Sequence, residues 1–132
     1  MKNITATGFF IKNKKILLEK RRKDEDNYAG LWAAPGGHKK PLEFPKRALK
    51  REMKEELNVD IKSAAYLGMF KDTDPTSKKL YHHHFFLVKE WKGRIKTTTE
   101  QAGIRWVALG RIKNLKNMNK VDIKVLKKAK LI

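Results

Sequence analysis

Stretches rich in β-branched and aromatic residues alternate along the chain with polar turns that contain glycine, proline or asparagine. Such stretches favour extended backbone, and the turn residues bound them, so each predicts a strand. A hairpin is predicted where Asn13 and Lys14 separate the first two of them. The predicted strands cover residues 3–12, 15–20, 61–72, 80–91 and 103–109, with a short apolar run at 31–34.

Two other stretches place apolar residues at helical spacing. The first runs from Phe44 to Leu57, where apolar positions recur every fourth residue and Pro45 suits the first turn. The second covers about Lys120 to Lys130. Strands, one helix, more strands and a terminal helix predict an α+β fold with helices packed on a mixed sheet. A length of 132 residues fits a single domain, 1–132.

The first predicted helix carries three carboxylates in one patch. Glu52, Glu55 and Glu56 stand at positions i, i+3 and i+4, which lie side by side on a helix. Acids that close repel one another unless a cation lies among them, and hard divalent cations prefer carboxylate oxygen. A solvated acidic face is the alternative. It is disfavoured because the chain is strongly basic and nearby lysines and arginines could have interrupted the patch.

The residues around this patch also follow a fixed spacing, in which Asn58 is the one departure. They are Gly37, Glu43, Arg51, Glu52, Met53, Glu55, Glu56 and Val59. The spacing resembles the Nudix box, which has Gly where this chain has Asn58. That position follows a helix end, where a left-handed residue is wanted and Asn is the next choice after Gly. The resemblance implies the α/β/α sandwich of the Nudix family, with a mixed sheet and two main helices.

The resemblance extends beyond the box to the second half of the chain. The run from His84 to Leu109 is similar to the MutT-type branch of the family. It contains Glu-Trp-Lys-Gly at 90–93, a later acid at Glu100 and, six residues after it, Trp106. Glu100 is thereby implied to be a further metal ligand or a general base, with a surface acid before a strand as the alternative.

The family's chemistry is attack of a metal-activated water on a phosphorus of a nucleoside diphosphate linked to a further group. The resemblance implies Mg²⁺ as the cofactor, for which Mn²⁺ can substitute. It implies that Arg51 orients the box carboxylates, with Glu43 as its partner. The implied metal ligands are the Gly37 carbonyl and the side chains of Glu52, Glu55, Glu56 and Glu100.

Two residues are implied to bind the substrate. Arg22, thirteen residues before Pro35, matches a phosphate-contacting arginine of MutT-type enzymes. Asn119 stands just before the second helix, where those enzymes place an asparagine that reads a purine edge, and an amide can donate and accept at once. A solvated arginine and a helix N-cap are equally good interpretations of these two residues.

The composition limits the function classes. With 32 Lys and Arg against 14 Asp and Glu, the formal charge of +18 attracts polyanions such as nucleotides or nucleic acid. The lysines are scattered, with few aromatic residues between them, so we expect steering of phosphorylated substrates more than dedicated nucleic-acid binding. The absence of cysteine excludes disulfides, thiolate metal sites and a cysteine nucleophile.

Other features set expectations about location and partners. We see neither a signal-peptide core nor an apolar run of membrane-spanning length, so we expect a cytoplasmic protein without membrane partners, monomeric or homodimeric. The triplet His82, His83 and His84 alternates between the two faces of a strand and therefore cannot easily converge on one metal. We interpret these histidines as flanking the substrate cleft.

Three functions remain in competition. The first is a MutT-type pyrophosphohydrolase that converts a nucleoside triphosphate, such as 8-oxo-dGTP, into a monophosphate and pyrophosphate. The second is an ADP-ribose or nucleotide-sugar pyrophosphatase, indicated by Pro75 sixteen residues after Val59. The third is a Nudix domain that binds nucleic acid without hydrolysis, suggested only by the charge and opposed by the intact glutamates of the box.

Overall fold

The computed structural model describes residues 3–96 and 103–132, which form a mixed seven-stranded sheet with helices on its two faces. Its strands and helices are β1 (Asn3–Lys12), β2 (Lys15–Lys20), β3 (Trp32–Ala33), β4 (Gly36–His38), α1 (Pro45–Leu57), β5 (Asp60–Thr73), β6 (Leu80–Lys92), β7 (Ile104–Ala108), a 3-10 helix (Leu109–Asn114) and α2 (Lys120–Lys128). The predicted α+β class with a mixed sheet is confirmed.

Strand β1 is the centre of the sheet. It pairs in parallel with β6 and antiparallel with both β2 and β4, while β5 forms the edge beyond β6 and β7 pairs with β2. Its neighbouring residues Phe9 and Phe10 point to opposite faces, as successive strand residues must. Phe10 packs in the core under α1 and Phe9 in the core under α2, so one strand anchors both layers of the sandwich.

Helix α1 begins and ends as its sequence dictates. Pro45 occupies the first turn after Phe44, which caps the helix without a side-chain hydrogen bond. Asn58 follows the last turn with φ of 55°, the left-handed conformation that its position in the box requires. The apolar side, including Leu49 and Met53, is fully buried against the sheet, while Glu52 is half-buried and Glu55 and Glu56 are exposed.

Several boundaries differ from the predicted ones by small amounts. Strand β6 ends at Lys92, one residue past its predicted end, and α2 ends at Lys128, two residues early. The polar stretch before α2 contains a 3-10 helix that the sequence pattern did not predict, held by burial of Ile112 in the core. Among the described residues, no helix has the length and apolarity needed to cross a bilayer.

Candidate functional site

The site begins where the Glu52 side chain of α1 lies against Gly37 of β4. A Cβ added at Gly37 would overlap the Glu52 carboxylate, so any other residue there would displace the Glu52 side chain. Strand β4 is itself fixed by β1, where Ala6 pairs with Gly37. The glycine therefore lets the Glu52 carboxylate lie directly against a backbone peptide, and a cation could reach oxygens of both.

A third acid joins the two glutamates of the helix. Glu19 of β2 lies near Glu52 and Glu56, and burial raises the pKa of Glu19 to about 7, an effect that Glu52 reinforces and Arg21 opposes. Desolvation also raises the pKa of Glu56 to about 8, with further contributions from Glu19 and Glu52. The site therefore holds carboxyls that cannot all ionise comfortably without a compensating cation.

Arg51 supplies positive charge on the other side of Glu52. It donates from Nε and Nη2 to the two carboxylate oxygens of Glu43, at 2.8 and 3.0 Å, and from Nη1 to Glu52 at 2.9 Å. Nη2 also donates to the His38 carbonyl at 3.0 Å. This planar, multiply bonded guanidinium ties α1 to β4 and to the loop before the helix, and it fixes one oxygen of Glu52.

The remaining predicted ligands are placed differently. Glu55 is more than half exposed, and its nearest charged partner is Nη1 of Arg51 at 3.5 Å. In the described ranges, no three His, Cys, Asp or Glu side chains are grouped closely enough to hold a metal ion. Mg²⁺ commonly uses only one or two carboxylates, completing its shell with water and phosphate oxygens, so Glu52, Glu56 and the Gly37 backbone fit that ion. Glu100 lies outside the described residues.

A cavity opens beside the acids, between the ends of β1, β2 and β6. Small residues as well as polar and aromatic side chains line it. The residues that line it are Thr5, Thr7, Glu19, Arg21, Asn27, Tyr28, Ala33, Ala34, Gly36, Gly37, His38, Tyr81, His83, Asn119 and Asp122. A second cleft adjoins it at Glu19 and Arg21 and includes Glu56 and Arg22. The cavity and the acidic cleft thus share one rim.

Two arginines stand at this rim. Arg22, predicted to contact phosphate, is about two-thirds exposed and forms ion pairs of 3.4 and 3.6 Å with Asp24 and Glu25 of its own loop. Arg21 is only one-third exposed, lines both the cavity and the cleft, and is held by Asn27 through its side chain and carbonyl. Both arginines lie within reach of an anion in the cleft, and Arg21 is the more firmly positioned.

Asn119 is the N-cap of α2 and is also one of the residues that line the cavity, while its reading of a purine edge stays a prediction. Its Oδ1 accepts from the backbone N–H of Val121 at 3.0 Å, which makes it the N-cap of α2, and its side chain lines the cavity. One turn further, Asp122 is almost fully buried and accepts from the Ala34 backbone N–H at 2.8 Å. Burial raises the pKa of Asp122 to about 7, against the effect of the Ala34 hydrogen bond.

The three histidines separate as strand geometry requires. His83 is buried at the cavity wall, between Thr5 and Tyr28. His84 points to the other face, where its Nδ1 lies 2.7 Å from the Tyr66 hydroxyl. His83 therefore does flank the cavity, while its neighbour belongs to a different surface.

The loop that carries Arg21 and Arg22 is fastened to the connection between β5 and β6. The buried carboxylate of Asp74 accepts from the backbone N–H of Tyr28 at 2.8 Å, and it also accepts from Thr76 and Ser77 in its own turn. Burial alone would raise the pKa of Asp74, but these hydrogen bonds outweigh it and lower the pKa. The turn and the loop therefore hold one another in place.

Sequence reasoning missed several of these residues, although two left a signal. Leu17, Glu19 and Arg21 alternate along β2, and Leu17 packs in the core under α1, so period 2 aims the acid and the arginine toward the helix. Asp122 stands four residues before the buried Leu126, which places an acid on the apolar stripe of α2. Tyr28 and Asp74 left no comparable local signal.

Comparison with known proteins identifies a family and several relatives of this chain. A model of the NUDIX domain matches residues 1–129. An 8-oxo-dGTP diphosphatase of Buchnera aphidicola subsp. Schizaphis graminum is 34% identical over 106 residues, which cover 80% of this chain and 77% of that protein. A CTP pyrophosphohydrolase of Escherichia coli K12 is 32% identical over 103 residues, 77% of this chain and 74% of the relative.

Solved structures agree with these matches. The solution structure of the E. coli ORF135 protein superposes with a TM-score of 0.77 at 26% identity, covering 99% of this chain and 91% of that one. A MutT NUDIX hydrolase from Burkholderia pseudomallei has a TM-score of 0.80 at 23% identity, with 96% and 97% of the two chains covered, and it supports the fold alone.

Proposed function

Because this chain belongs to the Nudix family, we propose that it is a Mg²⁺-dependent hydrolase that converts a nucleoside triphosphate into a nucleoside monophosphate and pyrophosphate. Hydrolases of the family generally use divalent metal ions. The observation that carries the proposal is the contact of Glu52 with the Gly37 backbone, beside Glu56 and at the rim of the cavity. The names of the relatives, one acting on 8-oxo-dGTP and one on CTP, support a triphosphate substrate.

The residues take distinct roles in this proposal. Glu52, Glu56 and the Gly37 carbonyl hold the cation, and Arg51 keeps Glu52 in its orientation. A bound divalent cation neutralises phosphate charge and lowers the pKa of a coordinated water. Arg21 and Arg22 contact the phosphates at the cleft, while the cavity with Asn119 receives the nucleoside. The roles of Glu55 and Glu100 as further ligands or general base stay predictions.

A nucleotide panel tests the proposal. Purified protein is incubated with CTP, GTP, 8-oxo-dGTP, ADP-ribose, a nucleotide sugar and a capped RNA, and the products are identified by mass. We expect monophosphate and pyrophosphate from at least one triphosphate, complete loss of activity in EDTA and its return with Mg²⁺ or Mn²⁺. Full activity in chelator would contradict the assigned metal site, and cleavage of ADP-ribose alone would favour the second of the three functions.

Nucleic-acid binding without hydrolysis is the alternative that the charge suggests. A filter-binding assay across a salt series separates it from catalysis, because charge-driven binding weakens steeply as salt rises. We also infer that the protein acts in the cytoplasm, since nucleoside triphosphates are cytoplasmic metabolites. We further infer a single domain that is monomeric or homodimeric. Sedimentation of the purified chain tests the oligomeric part of this inference.

A further inference from the structure

Four polar side chains beside the cavity form a continuous line of hydrogen bonds that the proposed chemistry does not use. Oγ1 of Thr5 lies 2.6 Å from Nδ1 of His83, and Nε2 of His83 lies 2.8 Å from the Tyr28 hydroxyl. That hydroxyl lies 2.9 Å from Oδ2 of Asp72. Thr5, Tyr28 and His83 are buried and line the cavity. We refer to these four residues as the Thr5 relay.

The direction of every hydrogen bond in the Thr5 relay follows from its Asp72 end. A carboxylate can only accept, so Tyr28 donates its single hydroxyl proton to Asp72. The Tyr28 oxygen is then free to accept, and it takes the N–H at Nε2 of His83. In a neutral imidazole the other nitrogen is an acceptor, so Thr5 donates its hydroxyl proton to Nδ1.

The ionisation of the two central groups agrees with this assignment. Burial, followed by the hydrogen bond to Asp72, raises the pKa of Tyr28 well above its usual range, so the phenol keeps its proton. Burial, followed by His38 and His82, lowers the pKa of His83 to about 4. The ring is therefore neutral near pH 7 and carries one proton, which the Tyr28 oxygen holds on Nε2.

We propose that the Thr5 relay makes Thr5 a hydrogen-bond acceptor in the cavity, so that the site selects nucleotides whose base presents an exocyclic amino group there. This inference rests on the proposed function, because it assigns the part of the nucleotide that the cavity receives. The one proton of the Thr5 hydroxyl is committed to His83, so its oxygen offers the ligand only lone pairs. A keto oxygen in the same place would face those lone pairs and leave both oxygens unpaired.

Three bases carry an exocyclic amino group, and three matched pairs of nucleotides distinguish them. ATP and ITP differ by a 6-amino against a 6-keto group. CTP and UTP differ by a 4-amino against a 4-keto group, and GTP and ITP differ by the presence of the 2-amino group. In at least one pair we expect the amino member to have the higher kcat/KM by about tenfold or more, the size typical of a lost polar partner. The pair that responds identifies the base edge that meets Thr5.

Two substitutions of Thr5 in β1 distinguish the effect of its oxygen as an acceptor from the effect of its shape. Thr5→Val keeps the branched shape but removes the oxygen, and we expect the preference within the responding pair to fall about tenfold. Thr5→Ser keeps the oxygen and should restore the preference. Thr7→Val is the matched control, because Thr7 lines the same cavity two residues further along β1 and stands outside the relay. It should leave the preference unchanged.

Tyr28→Phe gives a sharper test. The ring still packs against Tyr81 and His83, whose centroids lie 5.3 and 5.6 Å away, but the acceptor for Nε2 is gone. The imidazole proton then moves to Nδ1, where it donates to Thr5 and frees the Thr5 hydroxyl to donate into the cavity. We expect the preference to shift from the amino toward the keto member of the CTP and UTP pair. A merely structural role of Tyr28 would lower kcat/KM equally for both.

Two measurements are independent of turnover. Calorimetric binding of CMP, UMP, AMP, GMP and IMP to the metal-free protein should show the same preferences as kcat/KM. Nitrogen-15 NMR, with the His83 signals assigned through His83→Gln, should show the proton on Nε2 in the unmodified protein and on Nδ1 in Tyr28→Phe. A proton on Nδ1 in the unmodified protein would overturn the assignment.

The outcomes for the relay and for the proposed function are distinct. If kcat/KM is equal for both members of every pair, or if Thr5→Val lowers kcat/KM equally for both members, the inference about the relay is wrong. Hydrolysis with release of pyrophosphate would still support the proposed function in that case. Absence of hydrolysis for every triphosphate, together with the expected preference among bound monophosphates, overturns the proposed function and supports the relay.

Discussion

The carboxyl groups of this protein stand in two opposite electrostatic surroundings. Glu43 accepts from Arg51 and from the Lys40 backbone N–H, and these hydrogen bonds lower its pKa to about 2. The buried Asp74 accepts from the Tyr28 backbone and from its own turn, which lowers its pKa in spite of burial. The chain itself satisfies the charge of these two acids.

The acids at the cleft have raised pKa values instead of lowered ones. Burial and mutual repulsion raise the pKa of Glu19 to about 7 and that of Glu56 to about 8, and Arg21 offsets only part of this effect. Glu52 forms an ion pair with Arg51, yet its charge still raises the pKa values of Glu19 and Glu56. Such an arrangement costs stability in the isolated chain, because neighbouring carboxylates must either repel or take up protons.

We interpret this difference as a division between acids that hold the fold and acids proposed to hold a cation. Removing an acid of the first kind should destabilise the protein, since its hydrogen-bond donors lose their partner. Removing an acid of the second kind should abolish function and leave the fold intact. Substitutions of Glu56, Asp74, Asp122 and Asn119 test this division, in order of expected effect.

Glu56→Gln should have the largest effect. The amide keeps the shape of the side chain but loses the charge that binds the cation, so we expect kcat to fall about a hundredfold or more, equivalent to about 2.7 kcal/mol of barrier. The thermal midpoint in EDTA should not fall, because one of several repelling carboxyls is gone. Steady-state kinetics with Mg²⁺ and thermal unfolding measure the two quantities.

A matched control is Glu90→Gln, which removes the charge of an exposed glutamate on β6. It should leave both kcat and the thermal midpoint unchanged. Near-normal turnover of Glu56→Gln would move the metal site elsewhere, and a large loss of stability would place Glu56 with the structural acids.

Asp74→Ala should give the largest loss of stability. It leaves the donors on Tyr28, Thr76 and Ser77 without their acceptor inside the protein, so we expect the free energy of unfolding to fall by about 3 kcal/mol at pH 7. The pKa of Asp74 is lowered by folding, so its contribution is present above the unfolded pKa and disappears as pH falls through the folded value.

Urea unfolding of the variant and the unmodified protein at pH 7 and pH 3 checks both statements. The difference between their free energies of unfolding should be smaller at pH 3. Asp24→Ala is the control, since Asp24 lies in the fastened loop but is largely exposed and makes only a 3.4 Å ion pair with Arg22. It should change stability by less than about 0.5 kcal/mol. A similar loss in both variants would contradict a special role for Asp74.

Asp122→Asn should stabilise the protein at high pH. Folding raises the pKa of Asp122 to about 7 by burial, so the unfolded chain releases this proton at a lower pH than the folded one. The unmodified protein therefore loses stability from this group as pH rises from about 4 to 7. The asparagine oxygen can still accept from the Ala34 backbone N–H without that cost.

We expect the variant to gain up to about 4 kcal/mol relative to the unmodified protein between pH 4 and pH 8, because the pKa of Asp122 is raised from 3.8 to about 7. Thermal midpoints measured across this range, in EDTA, give the slope. Asp60→Asn serves as control, because Asp60 is half exposed beside Lys54 and should not change the slope. Parallel pH profiles for Asp122→Asn and the unmodified protein would show that Asp122 ionises normally in the fold.

The parts of the molecule that the sequence predicted are those with a local period. Helix α1, its end at Asn58 and most strand boundaries follow from spacings of two to four residues and from turn residues. The box residues Gly37 and Glu52 were predicted through the resemblance to the Nudix box, whose fixed spacing they match. The structure adds the physical reason, which is that a side chain at Gly37 would collide with Glu52.

The cavity wall could not be predicted from such patterns. Thr5 and His83 meet because β1 pairs in parallel with β6 in a register that aligns them, although 78 residues separate them in sequence. Tyr28 reaches both His83 and Asp72 from a loop without any periodic pattern. Hydrogen bonds between distant segments depend on strand order and register, which no single stretch of sequence records.

Asn119 gives the smallest expected effect, and it is informative because this residue both caps α2 and lines the cavity. Its Oδ1 caps α2, and its amide group lines the cavity. Asn119→Ala removes the capping oxygen, so the free energy of unfolding should fall by about 1 kcal/mol, the usual cost of a lost cap. Asn119→Ser keeps a capping oxygen and should retain nearly all of that stability.

The two variants should behave alike toward substrates if the amide of Asn119 reads the base. In that case both lower kcat/KM for the preferred purine triphosphate by about tenfold to a hundredfold relative to a pyrimidine triphosphate, because a buried base group loses its partner. Thermal midpoints and purine-to-pyrimidine ratios for both variants decide the matter. A lowered midpoint in Asn119→Ala with unchanged ratios in both would restrict Asn119 to the cap, since serine would then replace it completely.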